Sequence, residues 1–330
     1  MRHFFVINPH SFRTLNSLKQ ILMDIENCFS VGRRMKYRIY ISRHPRDAIA
    51  AVHRYLLSVP FDETARVYAV GGDGILFDCL NGMINFQNAE LTCVPYGNTN
   101  NYIRAFGGDA VPAFRDIRKL CAAPSRPVDV IRCGANYALN DVNIGFIGQT
   151  VVIANTLFRH KSSNWVRRIP STIYFLSALR ALSNKQALQQ EYTVVMDGED
   201  ISGRYSNILF SNGACMGGKY IANPLAMPDD GRLDALLGTA SGRLKIIRTM
   251  GDYRKGRYAK HKIFLHKTFQ KAEIKSSLPL LVALDGEAFY AQEVTVEIVP
   301  GGVKFFAPEN IAFADFSDKA RAGKKGGGDK

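Results

Sequence analysis

The chain has 330 residues, enough for about two domains of ordinary size, each able to bury a core without disulfide staples. Apolar residues make up 46% and charged residues 22%, which excludes bulk disorder and collagen-like repetition. Lys and Arg number 43 against 29 Asp and Glu, a formal charge of +14, so the expected partner is anionic: nucleic acid, a phosphorylated small molecule or an acidic membrane surface.

In chain order, residues 1–125 alternate short β-rich runs at 4–7, 37–41, 66–70 and 91–94 with helix-period segments at 15–28, 45–57, 75–84, 100–106 and 112–121. That alternation predicts an N-terminal doubly wound α/β domain over residues 1–126. In such sheets ligands collect beyond the carboxyl ends of the strands, which here carry Asn8-Pro9, Gly71-Gly72-Asp73-Gly74 and Pro95-Tyr96-Gly97. After Pro124-Ser125-Arg126-Pro127 the texture changes to β-rich runs at 128–133, 192–197, 205–211, 268–275, 280–284 and 294–299, with turns such as Asp197-Gly198 between them. These predict a C-terminal antiparallel β-sandwich domain over residues 127–307, interrupted by a helix at 165–182. Residues 308–330 read as an extension whose end, from 319, is a disordered tail.

No stretch reaches the roughly 18 apolar residues of a membrane-spanning helix, and the opening Phe4-Phe5-Val6-Ile7 is too short for the apolar part of a signal peptide, so a cytoplasmic protein is expected. Cys28, Cys79, Cys93, Cys121, Cys133 and Cys215 form no C-x-x-C pair; they read as small core residues, neither a zinc site nor a disulfide framework. The basic charge is concentrated. Between Ser241 and Lys275 eleven Lys or Arg face only two acids, Asp252 and Glu273. His44, His261 and His266 show no ligand spacing.

The sharpest motif is Val70-Gly71-Gly72-Asp73-Gly74, an apolar strand entering three glycines around one acid and then a helix. Glycines there let the backbone approach a ligand, and successive N–H groups with the helix N-terminus bind phosphate. Asp73 would face a metal ion or take a proton; the competing reading is a tight turn with Asp73 as its cap. Asp285-Gly286 and Asp229-Asp230-Gly231 are read in the same two ways, as chemistry-bearing acids or as turn residues.

Taken together with Asn8-Pro9-His10-Ser11-Phe12, Pro95-Tyr96-Gly97-Asn98-Thr99-Asn100-Asn101, Asn143-Ile144-Gly145-Phe146, Asn212-Gly213 and Leu284-Asp285-Gly286-Glu287, this order of motifs resembles the diacylglycerol kinase catalytic family, which includes bacterial soluble lipid kinases and sphingosine kinases. The resemblance covers residues 1 to 307. It implies ATP and Mg²⁺ as cofactors, with Gly71, Gly72, Asp73, Gly74, Ile75 and Asp78 around the ATP phosphates and Asn8, Ser11, Ser42, Gly97 and Asn98 as further nucleotide contacts. It implies Asp285 as the base that takes the proton of a lipid hydroxyl, Glu287 beside it, and a structural magnesium site of Asp230 with the carbonyls of Met227 and Arg232. Asp73 and Asp129 would lie near the catalytic metal. Oxygen-only donors suit magnesium or calcium, and phosphoryl transfer needs little beyond a phosphate nest, carboxylates for the ion and one base.

The chain departs from the family pattern at Phe12 for a glycine, Ile75 and Asn98 for threonines, Asn101 for an aspartate and Asp78 for a glutamate. The expected reaction is transfer of the γ-phosphate of ATP to a lipid with a free hydroxyl, first diacylglycerol giving phosphatidic acid, second a long-chain base. Ser241 to Lys275, with Trp165-Val166-Arg167-Arg168 and Tyr174-Phe175-Leu176, would place the protein peripherally on an anionic membrane; Arg167 and Arg168 could instead reach ATP phosphates, and the competing reading is a solvated basic face. The other readings are a catalytically silent nucleotide- and membrane-binding relative, an NAD kinase, and a nucleic-acid binder, for which no specific module is found. A homodimer is left open.

Overall fold

The computed structural model describes residues 1–30, 36–108, 110–160, 170–184, 188–218 and 220–324. They fall into two compact units: Met1–Val128 with Gly301–Phe313, and Asp129–Pro300 with the residues from Ala314 onward.

The first unit contains β1 (Arg2–Ile7), α1 (Leu15–Ser30), β2 (Lys36–Ile41), α2 (Asp47–Leu57), β3 (Ala65–Gly71), α3 (Asp73–Met83), β4 (Ala89–Pro95), and the short helices α4 (Asn101–Arg104), α5 (Ala110–Ala113) and α6 (Ile117–Ala122). The strands pair in parallel in the order β2-β1-β3-β4. β3 and β4 are buried at every position, as central strands covered on both faces must be. β2 has one neighbour and carries Lys36 and Arg38, charges that suit a sheet edge. α1 buries Ile21, Ile25 and Phe29, a stripe four residues apart. Its Cys28 Sγ lies 3.6 Å from Cys121 Sγ of α6. α2 and α3 pack against each other so closely that a Cβ on Gly82 would stand 2.6 Å from the Ile49 carbonyl. The one buried arginine of β3, Arg66, is fully used: it pairs with Glu90 of β4 at 2.8 Å and donates to the carbonyls of Leu120, Cys121 and Ala123. A buried charge persists only with such company.

The second unit contains β5 (Ser125–Cys133), β6 (Asn136–Ala138), β7 (Asp141–Gly145), α7 (Phe146–His160), α8 (Pro170–Ala181), β8 (Gln190–Met196), β9 (Glu199–Asp200), β10 (Gly203–Ser211), β11 (Cys215–Met216), β12 (Tyr220–Ile221), β13 (Leu233–Thr239), α9 (Arg243–Tyr253), β14 (Phe264–Phe269), β15 (Lys271–Leu284), β16 (Glu287–Phe306) and α10 (Ser317–Lys324). Its strands are antiparallel, running β14-β13-β10-β7-β15-β16. β10 and β15 each change partner along their length, from β8 to β7, near register shifts at Tyr205/Asn207 and Lys275/Leu280. Such irregularities let a strand leave one layer and enter another, so the unit is an antiparallel sandwich.

The doubly wound half and the sandwich half agree with the expected fold class, while several expected bounds shift. β5 and β16 run across the division, because Lys304 and Phe305 pair with Glu90 and Leu91 of β4; residues 301–313 therefore return to the first unit where a continuous second domain to 307 was expected. The helix expected at 112–121 is two, since Asp116 accepts from the Lys119 N–H at 3.1 Å and starts α6 afresh. The strands expected at 268–275 and 280–284 belong to β14 and one long β15. Residues 319–324, expected as a disordered tail, are helical in α10; the remainder of that tail lies outside the described residues.

Candidate functional site

In the first unit, the turn after β3 and the turn after β4 are built on each other. The N–H groups of Tyr96 and Gly97 both donate to the Gly71 carbonyl, at 2.7 and 2.9 Å. Gly72 and Gly97 touch backbone to backbone: a Cβ on Gly72 would stand 2.9 Å from the Gly97 Cα, and one on Gly97 would overlap Gly72. Glycine is required at both places by space alone.

Asp73 closes this junction. Its carboxylate accepts from the Thr99 hydroxyl at 2.6 Å and from the backbone N–H groups of Asn101 and Tyr102. It therefore caps α4, the next helix along, and not the helix it begins; burial raises its pKa despite those three donors. Because α3 starts at Asp73 with its first turn closed only from Leu76 N to Gly72 O, the N–H groups of residues 73–75 have no partner within the helix. Gly74 is exposed there, and Ile75 is buried. This is a free helix N-terminus beside two glycine turns, the kind of backbone that binds phosphate.

The other expected nucleotide contacts surround these turns with varied engagement. Asn8 donates from its N–H to the Val70 carbonyl and accepts from the His10 N–H, and the Ser11 hydroxyl abuts Gly71. Ser42 donates its hydroxyl to Asp47 at 2.7 Å. Burial opposes the Asp47 charge, but donors from Arg43, Ser42, Tyr40 and His44 outweigh it and hold that carboxyl at about 2. Asp78 is buried and paired with Arg46 at 3.2 Å, whose guanidinium stacks 4.3 Å over Phe77. Asn98 is exposed. Phe12, standing where the family has glycine, is buried and stacked on Tyr96 at 4.5 Å, with Arg115 over the same ring at 4.7 Å. The departure is absorbed by packing. Sequence reasoning quoted Thr99 and Asn100 within the Pro95–Asn101 motif without giving them a role, and it missed Arg104. Asn100 adopts φ 50 and donates to Gly97 O, and Arg104 donates to Thr99 O. The doubled Asn100-Asn101 before an apolar pair was the available signal.

In the second unit, Asp285 and Gly286 form the two-residue turn between β15 and β16, with φ 47 and 90, the conformation that favours Asp-Gly. The turn reading of Asp285 therefore holds, and the carboxylate does more. Its oxygens accept from the N–H groups of Leu139 (2.8 Å), Asn140 (2.9 Å) and Asp141 (3.0 Å), while Asp285 N donates to the Asp141 carbonyl. Asn155 of α7 donates to the Gly286 carbonyl at 2.7 Å. Glu287 is half-buried at the start of β16, paired with Leu284.

Behind the turn, buried Asp141 accepts from Asn140 at 2.6 Å and Asn143 at 2.5 Å. Asn140 and Asp141 were missed; polar residues entering an otherwise apolar strand were the signal. Asn212 binds the carbonyls of Asp129 and Leu139.

Asp129 is buried and accepts from the Gly231 N–H at 2.6 Å, with its own N–H on the Pro228 carbonyl. Asp230 accepts from Arg232 N at 3.0 Å; burial raises its pKa first, and the charges of Asp234, Asp129 and Asp229 push the same way. Among the described residues no three His, Cys, Asp or Glu side chains converge to hold a metal ion by themselves. A cation here would rest on Asp230, the carbonyls of Met227 and Arg232, and water. The oxygen donors and the crowding of like charge around Asp230 fit Mg²⁺.

The second unit also holds an apolar cavity of about 110 Å³, open on one side, between α7, α8, α9 and the sheet, lined among others by Phe146, Phe175, Leu236, Ile246, Met250 and Phe264. Its polar side chains are mostly satisfied: Thr150, Thr249 and Ser206 donate to backbone carbonyls, Asn207 accepts from Ile147 N, and Arg254 stacks 4.2 Å over Tyr220. The exception is the Tyr253 hydroxyl, which is buried without a partner; burial and the Asp141 charge raise its pKa. The expected membrane or nucleotide contacts Trp165, Arg167 and Arg168 lie outside the described residues.

Comparison with known proteins follows the same division. The diacylglycerol kinase catalytic domain matches residues 2–133, and the YegS C-terminal NAD kinase beta sandwich-like domain matches residues 146–307. The chain is 28% identical over 265 residues to a "Probable lipid kinase YegS-like" of Pseudomonas savastanoi pv. phaseolicola, covering 79% of this chain and 78% of that one. It is 28% identical over 246 residues to the protein of the same description from Pseudomonas fluorescens, covering 74% and 78%. A solved diacylglycerol kinase structure from Bacillus anthracis superposes with a TM-score of 0.67 at 18% identity, over 94% of this chain and 98% of that one, a likeness of fold. With both halves matched in order, the chain carries a diacylglycerol kinase catalytic domain followed by a YegS-type C-terminal domain and is an enzyme of the lipid-kinase class.

Proposed function

We propose that the protein transfers the γ-phosphate of ATP to the hydroxyl of diacylglycerol, giving phosphatidic acid and ADP. The observation that carries the acceptor is the apolar cavity of the second unit, whose lining, among the described residues, includes Arg254 and no acid. Apolar walls suit an alkyl chain. A cation in the lining disfavours the ammonium head of a long-chain base, so a neutral glyceride is the better fit. The partnerless Tyr253 hydroxyl is the polar atom there that an ester or hydroxyl of the lipid would satisfy.

In the reaction the lipid oxygen attacks the γ-phosphorus, the new O–P bond forms, and the bond from that phosphorus to the β–γ bridging oxygen breaks to release ADP. The hydroxyl proton passes to the Asp285 carboxylate. Its three N–H donors fix the side chain before any lipid arrives, so no reorganisation is spent on placing it. Phosphates are assigned to the N–H groups at the start of α3 and the glycine turns beside it. Asp73, by capping α4, keeps the two turns in register and acts as a positioning residue. Mg²⁺, when bound, neutralises phosphate charge; Asp230 with the carbonyls of Met227 and Arg232 is the proposed structural site, and Asp129 organises that loop through Gly231.

The test is incubation with γ-labelled ATP, Mg²⁺ and mixed micelles of diacylglycerol, monoacylglycerol and a long-chain base, resolved by product. Labelled phosphatidic acid is expected as the main product. A dominant phosphorylated base would replace the acceptor, and no labelled lipid from any acceptor would remove the reading in favour of a silent relative.

A further inference from the structure

No helix among the described residues is long and apolar enough to cross a membrane, so a bilayer substrate has to be reached from the surface. Two helices of the second unit are apolar on opposite sides. α8 turns Tyr174, Phe175 and Ala178 to the cavity and leaves Leu176 and Leu179 exposed at 54% and 39%. α9 turns Ile246, Thr249 and Met250 to the cavity and leaves Leu244 and Ile247 exposed at 72% and 44%. The helices are neighbours: Ile246 joins Ala178, Ala181 and Leu182 in one cluster, and Arg243 donates to the Ser183 carbonyl at 2.9 Å. Four large apolar side chains, Leu176, Leu179, Leu244 and Ile247, thus lie bare on the sides of these helices turned away from the cavity. A helix apolar on both sides belongs under cover, and a contiguous patch of this kind marks an interaction face.

Charge says what covers it. Arg180, Arg243, Lys245 and Arg248 are exposed on the same two helices. The acid of α9, Asp252, is taken by Arg257 at 2.8 Å and His261 at 3.0 Å, so it does not offset them. An apolar face that shares its helices with four exposed cations repels a second copy of itself in a symmetric contact, and it matches a surface with apolar depth under an anionic plane.

We propose that the outer faces of α8 and α9 dock the protein on an anionic lipid leaflet, with Leu176, Leu179, Leu244 and Ile247 entering the acyl boundary and Lys245 and Arg248 meeting the headgroups. The inference rests on the reading of the cavity as an acyl-chain site, since docking on these helices brings that cavity's wall to the source of its lipid.

The experiment is sedimentation with phosphatidylcholine vesicles, with and without about a third phosphatidylglycerol, in the absence of nucleotide, so that vesicle binding is read apart from turnover. The wild-type chain is expected to partition at least tenfold more strongly onto the anionic vesicles, and less so as salt rises. Leu176→Ser with Leu179→Ser, Leu244→Ser and Ile247→Ser should lower that partition at least tenfold, and the single Leu244→Asp should do so in part if the fourfold variant folds poorly. Lys245→Glu with Arg248→Glu should abolish the preference for anionic vesicles. Turnover of dispersed dioctanoylglycerol should stay within twofold in all of them; failure of that assay in the wild type would strike the kinase reading and leave the vesicle result standing. Unchanged vesicle binding in the folded variants overturns the proposal. So does light scattering that finds a wild-type dimer dissociated by the substitutions while vesicle binding persists, which assigns the face to a second copy.

Discussion

The glycine turns of the first unit and the Asp-Gly turn of the second are both fixed by hydrogen bonds from backbone N–H groups, yet they tolerate change in opposite ways. In the first unit two backbones touch, at Gly72 and Gly97, and Asp73 reaches across to cap α4. What limits this region is volume. In the second unit the turn has room around it, a Cβ on Gly286 meeting nothing within 4 Å, and glycine is favoured there by its φ of 90 alone. What limits it is the carboxylate of Asp285, on which the N–H groups of residues 139–141 converge. The first region is thus fragile to added atoms, the second to a lost acceptor. The lesson is that neither aspartate is a loose acid waiting for a substrate; each organises the backbone around it.

The largest effect should separate the two roles of Asp285. Asp285→Asn keeps a residue suited to positive φ but replaces one acceptor oxygen by a donor facing N–H groups. Turnover should fall by about 10³-fold, with unfolding stability lower by about 2 kcal/mol and ATP affinity unchanged. Stability lost with turnover kept below the new melting point would make Asp285 a positioning residue alone.

Acid should reach the first unit before the second. Burial, the Arg66 charge and the amino terminus hold the His3 imidazole at about 4, below its usual 6.5. Its folded value is depressed, so the stability it supports is present above pH 6.5 and is lost as pH falls toward 4. The loss is roughly 3 kcal/mol. Denaturant titrations across that range should show it, and His3→Phe should flatten the curve; an unchanged curve would mean that another group carries the dependence.

Gly97→Ala should cost about 2 kcal/mol by overpacking and weaken ATP binding about tenfold, with binding of a lipid to the cavity unaffected. Calorimetry with each ligand reads both; equal losses for the two would erase the contrast between the regions. The smallest effect concerns Ser42 and Asp47. Asp47 lies near 2, so its contribution is present above the usual 3.8 and is lost as pH falls through about 2. After allowance for solvent screening, Asp47→Asn should cost about 1 kcal/mol at pH 7 and little at pH 2, as measured by thermal unfolding.

The parallel half was legible because its signals are local. β1, β3 and β4 are apolar runs, and α1 and α2 show the helical spacing of their buried residues. The sandwich half was less so. Asp141–Gly145 is short and half polar, so its place as the central β7 depends on Asn140, Asp141 and Asn143 satisfying one another, which no periodicity records. α9 was read for its charge and not as a helix, because Arg243, Lys245 and Arg248 interrupt its apolar pattern. The motif positions were visible, but what their side chains do was not. Asp73 as cap of α4 and Asp285 as anchor of residues 139–141 depend on contacts 26 and 144 to 146 positions away along the chain.

Phosphates are assigned to the first unit and the lipid to the second, and hydrogen–deuterium exchange with each ligand alone tests that assignment most directly. Mg²⁺ and ATP should slow exchange at residues 71–76 and 95–101, and dioctanoylglycerol should slow it at residues 146–151, 174–178 and 246–254. Protection of the glycine turns by the lipid, or of the cavity helices by the nucleotide, would contradict it.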